Sequence, residues 1–110
     1  MTRHTMNLHQ EPFDLIKSGN KKIESRLFDE KRQKIQVGDE VEFCSRESEE
    51  ILLTKVTNID VYETFDQLFS SHEPSLFGES TKEDLFSIYE YYSKEDEGKY
   101  GVIGIHIELI

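Results

Sequence analysis

Polar and apolar residues alternate most strictly near the C-terminus. From Tyr100 to Ile110, Ile103, Ile105, Ile107 and Leu109 fall on one side of an extended chain, with His106 and Glu108 on the other. This predicts a strand with four core positions. The same period of two sets Val41 and Phe43 against Glu40 and Glu42, directly after a Val37-Gly38-Asp39 turn. Thr5 to His9 alternates more weakly and reads as a first strand, and Lys21 to Leu27 as a second. Ile51 to Tyr62 is a long β-rich run with a bend expected near Thr57-Asn58.

Between these strands the period changes. Phe13 and Ile16 lie three apart, with Leu15 beside them and Pro12 suited to a first helical turn. That helix should run to about Ser18 and stop at Gly19, which tolerates a left-handed conformation. Phe65, Leu68 and Phe69 predict a second short helix. Ser80-Thr81-Lys82-Glu83 has the form of a capping box, opening a helix with the apolar stripe Leu85, Ile88, Tyr89 and Tyr92. Asp29 to Lys34 reads as a turn or single helical turn, Glu47 to Glu50 as a hairpin connection, and Glu95 to Gly98 as a turn. Many short strands with few helices favour an α+β fold. The expected form is a small, partly closed β-barrel of about five to six strands, with two to three short helices plugging its ends. Residues 1–110 form one domain on this reading.

Composition narrows the field. No apolar run approaches membrane-spanning length, and Met1 to Thr5 lacks a secretory apolar segment. One cysteine, Cys44, leaves no intrachain disulfide and no cysteine cluster for zinc, so a reducing cytoplasm is the expected setting. Cys44 ends an apolar strand and reads as a small core residue. His4, His9, His72 and His106 show no metal-ligand spacing, so neither a metal nor another cofactor is expected. Net charge is −10, which argues against a simple electrostatic binder of nucleic acid. The charge is uneven. Seven bases against three acids give +4 from Lys17 to Lys34, and eleven acids against two bases give −9 from Asp60 to Glu97. Both can be solvated faces. The basic stretch gains meaning if it borders a cavity, because a strand start holding Lys21, Lys22, Glu24 and Arg26 spends its side chains on something other than packing. They form either a solvated ladder of ion pairs or the lining of a pocket for a polar, anionic ligand.

Three stretches in order carry a family resemblance. Gly19-x-Lys21-x-x-Glu24-x-Arg26 follows the short Pro12-Phe13 helix. Val37-Gly38-Asp39-x-Val41-x-Phe43 comes next. Tyr91-Tyr92, an acidic turn and Tyr100-Gly101-Val102-Ile103-Gly104-Ile105 close the chain. Together they resemble the ASCH (activating-signal-cointegrator homology) family of the PUA-like superfold over nearly the whole chain. The resemblance implies a β-barrel with a cleft beside the helix after the first strand, lined by the motif residues. It implies RNA, a nucleotide or a modified nucleoside as partner. Some small bacterial members act as amidohydrolases on N4-acetylcytidine, and others are described as ribonucleases.

Carried over residue by residue, Lys21 matches the lysine that acts in the amidohydrolases, either as a base or as an anion contact. Glu24 stands where they have a threonine nucleophile. A carboxylate there can activate water or bind an exocyclic amine or ribose hydroxyl. Arg26 shares a strand face with Glu24, and its planar fork suits phosphate. Glu73, in Ser70-Ser71-His72-Glu73-Pro74, is the candidate for a distant acidic group, with a solvated loop carboxylate as the alternative. Tyr100, at the entry to the last strand, is the preferred stacking surface for a base, and Tyr89 and Tyr92 read as core. The leading expectation is a binding module for a nucleotide or flipped base, held by Lys21, Glu24, Arg26 and Tyr100. The alternative is a hydrolase of nucleosides or RNA that uses Lys21 and Glu24, with Glu73 as a further acid. A third reading is a protein-interaction domain that uses the acidic surface of residues 60–97.

Overall fold

The alternating segments become five strands of one sheet in a computed structural model that describes residues 1–110. They are β1 (Arg3–Leu8), β2 (Ile23–Leu27), β3 (Glu40–Ser45), β4 (Ile51–Tyr62) and β5 (Val102–Leu109). The order across the sheet is β1-β3-β4-β5-β2. Only β1 and β3 run parallel, and the other three pairs are antiparallel. The sheet curls into a half-barrel, the expected α+β form with five strands. Its two edge strands are linked across the open side, where Arg26 Nη2 on β2 donates to the Asn7 carbonyl on β1 at 3.0 Å. The expected bend in β4 is a register shift between Val56 and Asn58.

β5 lies between β4 and β2 and is covered on both faces. Ile103, Ile105 and Ile107 join Met6, Leu8, Phe13, Ile16, Ile35, Val41, Phe43 and Val56 in one core. Val102 joins Ile23, Leu27 and a layer of helical aromatics in a second. Gly104 is what lets that second layer approach. A Cβ there would stand 2.7 Å from Leu68 Cδ1. Leu109 departs from expectation. It lies past both cores at the end of the strand and is 42% exposed. Cys44 also departs. Val41, Phe43 and Ser45 point inward, so Cys44 faces the other side and is half-buried.

Four α-helices form where two to three were expected: α1 (Gln10–Lys17), α2 (Phe65–Ser70), α3 (Lys82–Leu85) and α4 (Lys94–Tyr100). The cap of α3 is Thr81, one residue later than the box suggested, and it accepts from the Asp84 N–H. α3 then gives way to a 3₁₀ turn over Phe86–Glu90. Of the predicted stripe only Leu85 is buried, and Ile88, Tyr89 and Tyr92 are half-buried. The acidic stretch expected as a turn is the first turn of α4. Ser93 caps it, and Glu95, Asp96 and Glu97 stand where the helix dipole favours negative charge.

Glu97 is turned inward and is 6% exposed. It accepts from the Phe65 N–H at 2.7 Å and from the Tyr89 hydroxyl at 2.6 Å, which joins α4 to the start of α2. Burial, and then the Glu97 carboxylate, push the Tyr89 hydroxyl far above its ordinary value, so it remains a donor. Glu97→Ala should therefore lower stability by about 1–3 kcal/mol, the cost of leaving a buried donor unpaired. Glu97→Gln keeps a carbonyl acceptor and should lose less. Urea denaturation midpoints of the two variants check the order.

Candidate functional site

The site begins with the register of an edge strand. Glu24 lies opposite Ile105 and Arg26 opposite Ile103 across the β2–β5 ladder. Directly paired residues share a face, so both charged side chains project to the side of the first core. They do so at the open edge of the half-barrel, where a cleft replaces a further strand. Ile23 and Leu27 turn to the opposite face and fill the second core.

Glu24 is 4% exposed. Its Oε1 lies 3.1 Å from Lys21 Nζ, and its Oε2 accepts from Arg26 Nε at 2.8 Å, with Arg26 Nη2 at 2.7 Å. Burial alone would raise the Glu24 carboxyl, but Lys21 and Arg26 outweigh it and hold the group below its ordinary 4.5. Burial opposes the charge on Arg26, and Glu24 overcomes that and raises it, with a further contribution from the Tyr92 hydroxyl. The Lys21 stem is fixed by a close approach. Gly78 has φ +94°, and a Cβ there would meet Lys21 Cδ and Leu15 Cδ1, each at 3.2 Å.

This arrangement leaves Glu24 with both oxygens committed. An ionised, fully partnered carboxylate orients its neighbours and is a poor proton acceptor. Lys21 retains ammonium donors beyond the one facing Glu24, and the Nη1 donors of Arg26 are not spent on Glu24 or Asn7.

The three residues line a cleft of about 1270 Å³, bordered by α1, β2 and the stretch from Leu85 to Tyr92. The basic heads in its lining are Lys21, Arg26 and Arg46, and the carboxylates are Glu11, Asp14, Glu24, Glu47 and Glu79. Tyr91, 66% exposed, stands with its ring centroid 5.8 Å from that of His9. Both line the cleft, as does Tyr92.

Lys21, Glu24 and Arg26 are thus brought together, and Glu73 and Tyr100 are not among the residues of this cleft. Glu73 is exposed in a separate shallow depression beside His72. Tyr100 ends α4 and packs against the second core, with Lys99 Nζ 5.0 Å from its ring centroid. The aromatic wall comes instead from Tyr91, Tyr92 and His9. Their only sequence sign is the Tyr91-Tyr92 pair ahead of the acidic run. Tyr92 lines the cleft while packing on the second core as expected, stacked on Phe65 at 5.8 Å, whereas Tyr91, directly after the 3₁₀ turn that ends at Glu90, is exposed.

A second constellation has no signature in residue spacing. Asp60, His72 and His106 offer ligand atoms that all lie within 4.8 Å of one another. Each histidine Nε2 is 2.6 Å from Asp60 Oδ2. Burial would raise the Asp60 carboxyl, but His106 and His72 outweigh it and lower it.

The chain matches the ASCH domain family over residues 6–110 and belongs to it, a family associated with RNA binding. The crystal structure of hypothetical protein PH0355 is similar, at 38% identity and a TM-score of 0.87, over 99% of this chain and 100% of that one. The solution structure of protein PF0455 from Pyrococcus furiosus shares 35% identity at a TM-score of 0.77, over 99% and 98% of the two chains. The ASCH protein from Zymomonas mobilis shares the fold at 14% identity and a TM-score of 0.67, over 97% of this chain and 67% of that one. None of the curated proteins matches. No helix is long and apolar enough to cross a membrane.

The depressed Glu24 carboxyl sets a pH dependence. Its contribution to stability is complete above the ordinary value of 4.5 and is lost as pH falls through the lower folded value. At neutral pH Glu24→Gln should cost about 3 kcal/mol, because two half-buried cations lose their buried counter-charge. Below pH 4.5 the native protein loses this advantage and the variant does not, so their stability curves should converge. Denaturant titrations at neutral and acid pH measure the convergence.

Proposed function

We propose that the cleft recognises a single nucleotide, or one unstacked base of a short RNA. The observation that carries this reading is the pairing of two fixed cations with an exposed aromatic wall. Lys21 and Arg26 are oriented on a buried carboxylate, and Tyr91 and His9 stand at the same cleft. Cationic heads suit a phosphate, and an aromatic face suits a base whatever its identity. Association of the ASCH family with RNA supports the same direction.

Electrostatics restrict the size of the ligand. Long nucleic acid is bound by displacing many counterions from its backbone, which needs extended basic surface. This chain carries −10, and carboxylates outnumber bases in the cleft lining by five to three. One phosphate at Lys21 and Arg26 is compatible with that balance. A tract of phosphates running past Glu11, Asp14 and Glu47 is not.

Hydrolysis of an acylated nucleoside is the weaker reading. Glu24, which occupies the threonine position of the amidohydrolases, has both oxygens bound and its carboxyl held low. It is neither a hydroxyl nucleophile nor a free base. Its partners support a role in presenting Lys21 and Arg26.

Calorimetric titration with cytidine, cytidine monophosphate, N4-acetylcytidine, a short single-stranded RNA and an RNA duplex tests the proposal. The monophosphate and the single strand should bind, and the duplex should not. Tyr91→Ala should cost about 1–3 kcal/mol of affinity, the range for one stacked base. Arg26→Lys should recover only part of the phosphate contact, since a point charge does not reproduce the fork. Salt should weaken binding shallowly, because few phosphates are engaged. Incubation with N4-acetylcytidine should release no cytidine. Absence of binding by any of these ligands, or full affinity in Tyr91→Ala, overturns the reading.

A further inference from the structure

We propose that Asp60, His72 and His106 form a binding site for one divalent transition-metal ion, with zinc the best match. The site lies on the far side of the sheet from the Glu24 face. Asp60 is on β4, and His106 is on the neighbouring β5, where it pairs with Asn58 two residues away. His106 follows Gly104 in the alternation, so it lies on the face that packs against α2, not among the isoleucines of the first core. His72 comes from the segment after α2, two residues before the turn at Pro74–Phe77 begins. Three different elements thus supply the cluster, with histidines 12 and 46 residues from Asp60 meeting on one carboxylate oxygen.

The donor set selects the ion. Two imidazoles and a carboxylate suit zinc and its neighbours in the first transition row, whereas calcium and magnesium require oxygen donors throughout. Zinc bonds of about 2.0–2.1 Å in a tetrahedron place ligand atoms roughly 3.3 Å apart. The present Nε2–Oδ2 separations of 2.6 Å need to open by only a fraction of an ångström. Two of the ligands sit on adjacent, hydrogen-bonded strands, so they are held in place. His72 sits on a connection, which can supply the adjustment.

Access and surroundings fit as well. The side chains are 18–26% exposed, partly shielded but within reach of solvent. His72 also borders a shallow depression with Ser70, Ser71 and Glu73, where water can complete the coordination. The His72 and His106 rings meet edge to face at 5.0 Å, and Phe77 lies 6.1 Å from His72 on another side. A bound ion would fasten the segment after α2 to the sheet. That segment leads through Pro74–Phe77 to Gly78, the residue packed on the Lys21 stem.

Zinc chloride and cobalt chloride added to the untagged, chelator-treated chain provide the test. One equivalent of zinc should bind by calorimetry and raise the melting temperature, and a chelator should reverse the rise. Cobalt should give the visible absorption of a tetrahedral ion with nitrogen and oxygen ligands. His72→Ala, on the connection, leaves the strand pairing untouched. It should weaken zinc binding by at least about 10–100-fold, the loss seen even for outer-shell partners. Asp60→Asn should weaken it similarly, and Cys44→Ser should leave it unchanged. No binding to the native chain, or equal affinity in His72→Ala, overturns the site. Loss of binding in Cys44→Ser would also overturn it, by assigning the ion to the thiolate.

Discussion

One buried carboxylate organises the open side of this molecule. Glu24 sits almost out of water on the inner face of an edge strand. Desolvating an unpaired carboxylate costs several kcal/mol, and the cost is met only if opposite charges and hydrogen bonds surround it. Lys21 and Arg26 supply both. The fork of Arg26 then has a donor left for the Asn7 carbonyl on β1. The same guanidinium therefore neutralises Glu24, joins the two edges of the curled sheet and faces the cleft. Replacing Arg26 disturbs three relations at once, and replacing Lys21 unpairs the same carboxylate, which makes Tyr91 the cleaner probe of ligand contact.

β5 is the other constraint, and it explains what alternation does and does not reveal. Ile103, Ile105 and Ile107 read as one buried face because the opposite positions are Gly104, His106 and Glu108. Gly104 is small for a packing reason, and His106 is half-buried beside Asp60. The strand is thus two-sided, and a rule that assigns one face to solvent describes only half of it. Leu109 fails the same rule from the other end. Its position in the alternation is right, but the cores stop before it.

Most of the strand segments and the charged motif were legible because short-range signals carried them, whereas the order of the strands across the sheet was not read. A turn before Val41, a left-handed stop at Gly19 and the Lys21, Glu24, Arg26 spacing act within a few residues. The C-terminal helices were harder to read. Glu95, Asp96 and Glu97 look like a solvated turn until Glu97 finds the Phe65 N–H, a partner 32 residues away. The position of Tyr91 depends on where α3 yields to a 3₁₀ turn, and apolar spacing does not report that change. Asp60, His72 and His106 meet only through the β4–β5 register and the path after α2. Pairwise spacing along the chain cannot foresee a cluster built from sheet neighbours and a connection.

The two constellations lie on opposite faces of the same sheet, yet one short segment connects them. His72 begins it and Gly78 ends it, with the Pro74–Phe77 turn between. The Lys22 N–H donates to the Leu76 carbonyl within that turn at 2.8 Å, so the segment is also bonded to the chain entering β2. Phe77 packs in the second core, against Phe69 at 5.2 Å between centroids. Gly78, at the end of the segment, leaves space that the Lys21 stem fills: a Cβ there would stand 3.2 Å from Lys21 Cδ and 3.4 Å from Lys21 Cβ. The segment that leads to the Lys21 stem is thus held at three points: by Asp60 on His72, by the Lys22 N–H on the Leu76 carbonyl, and by Phe77 in the second core.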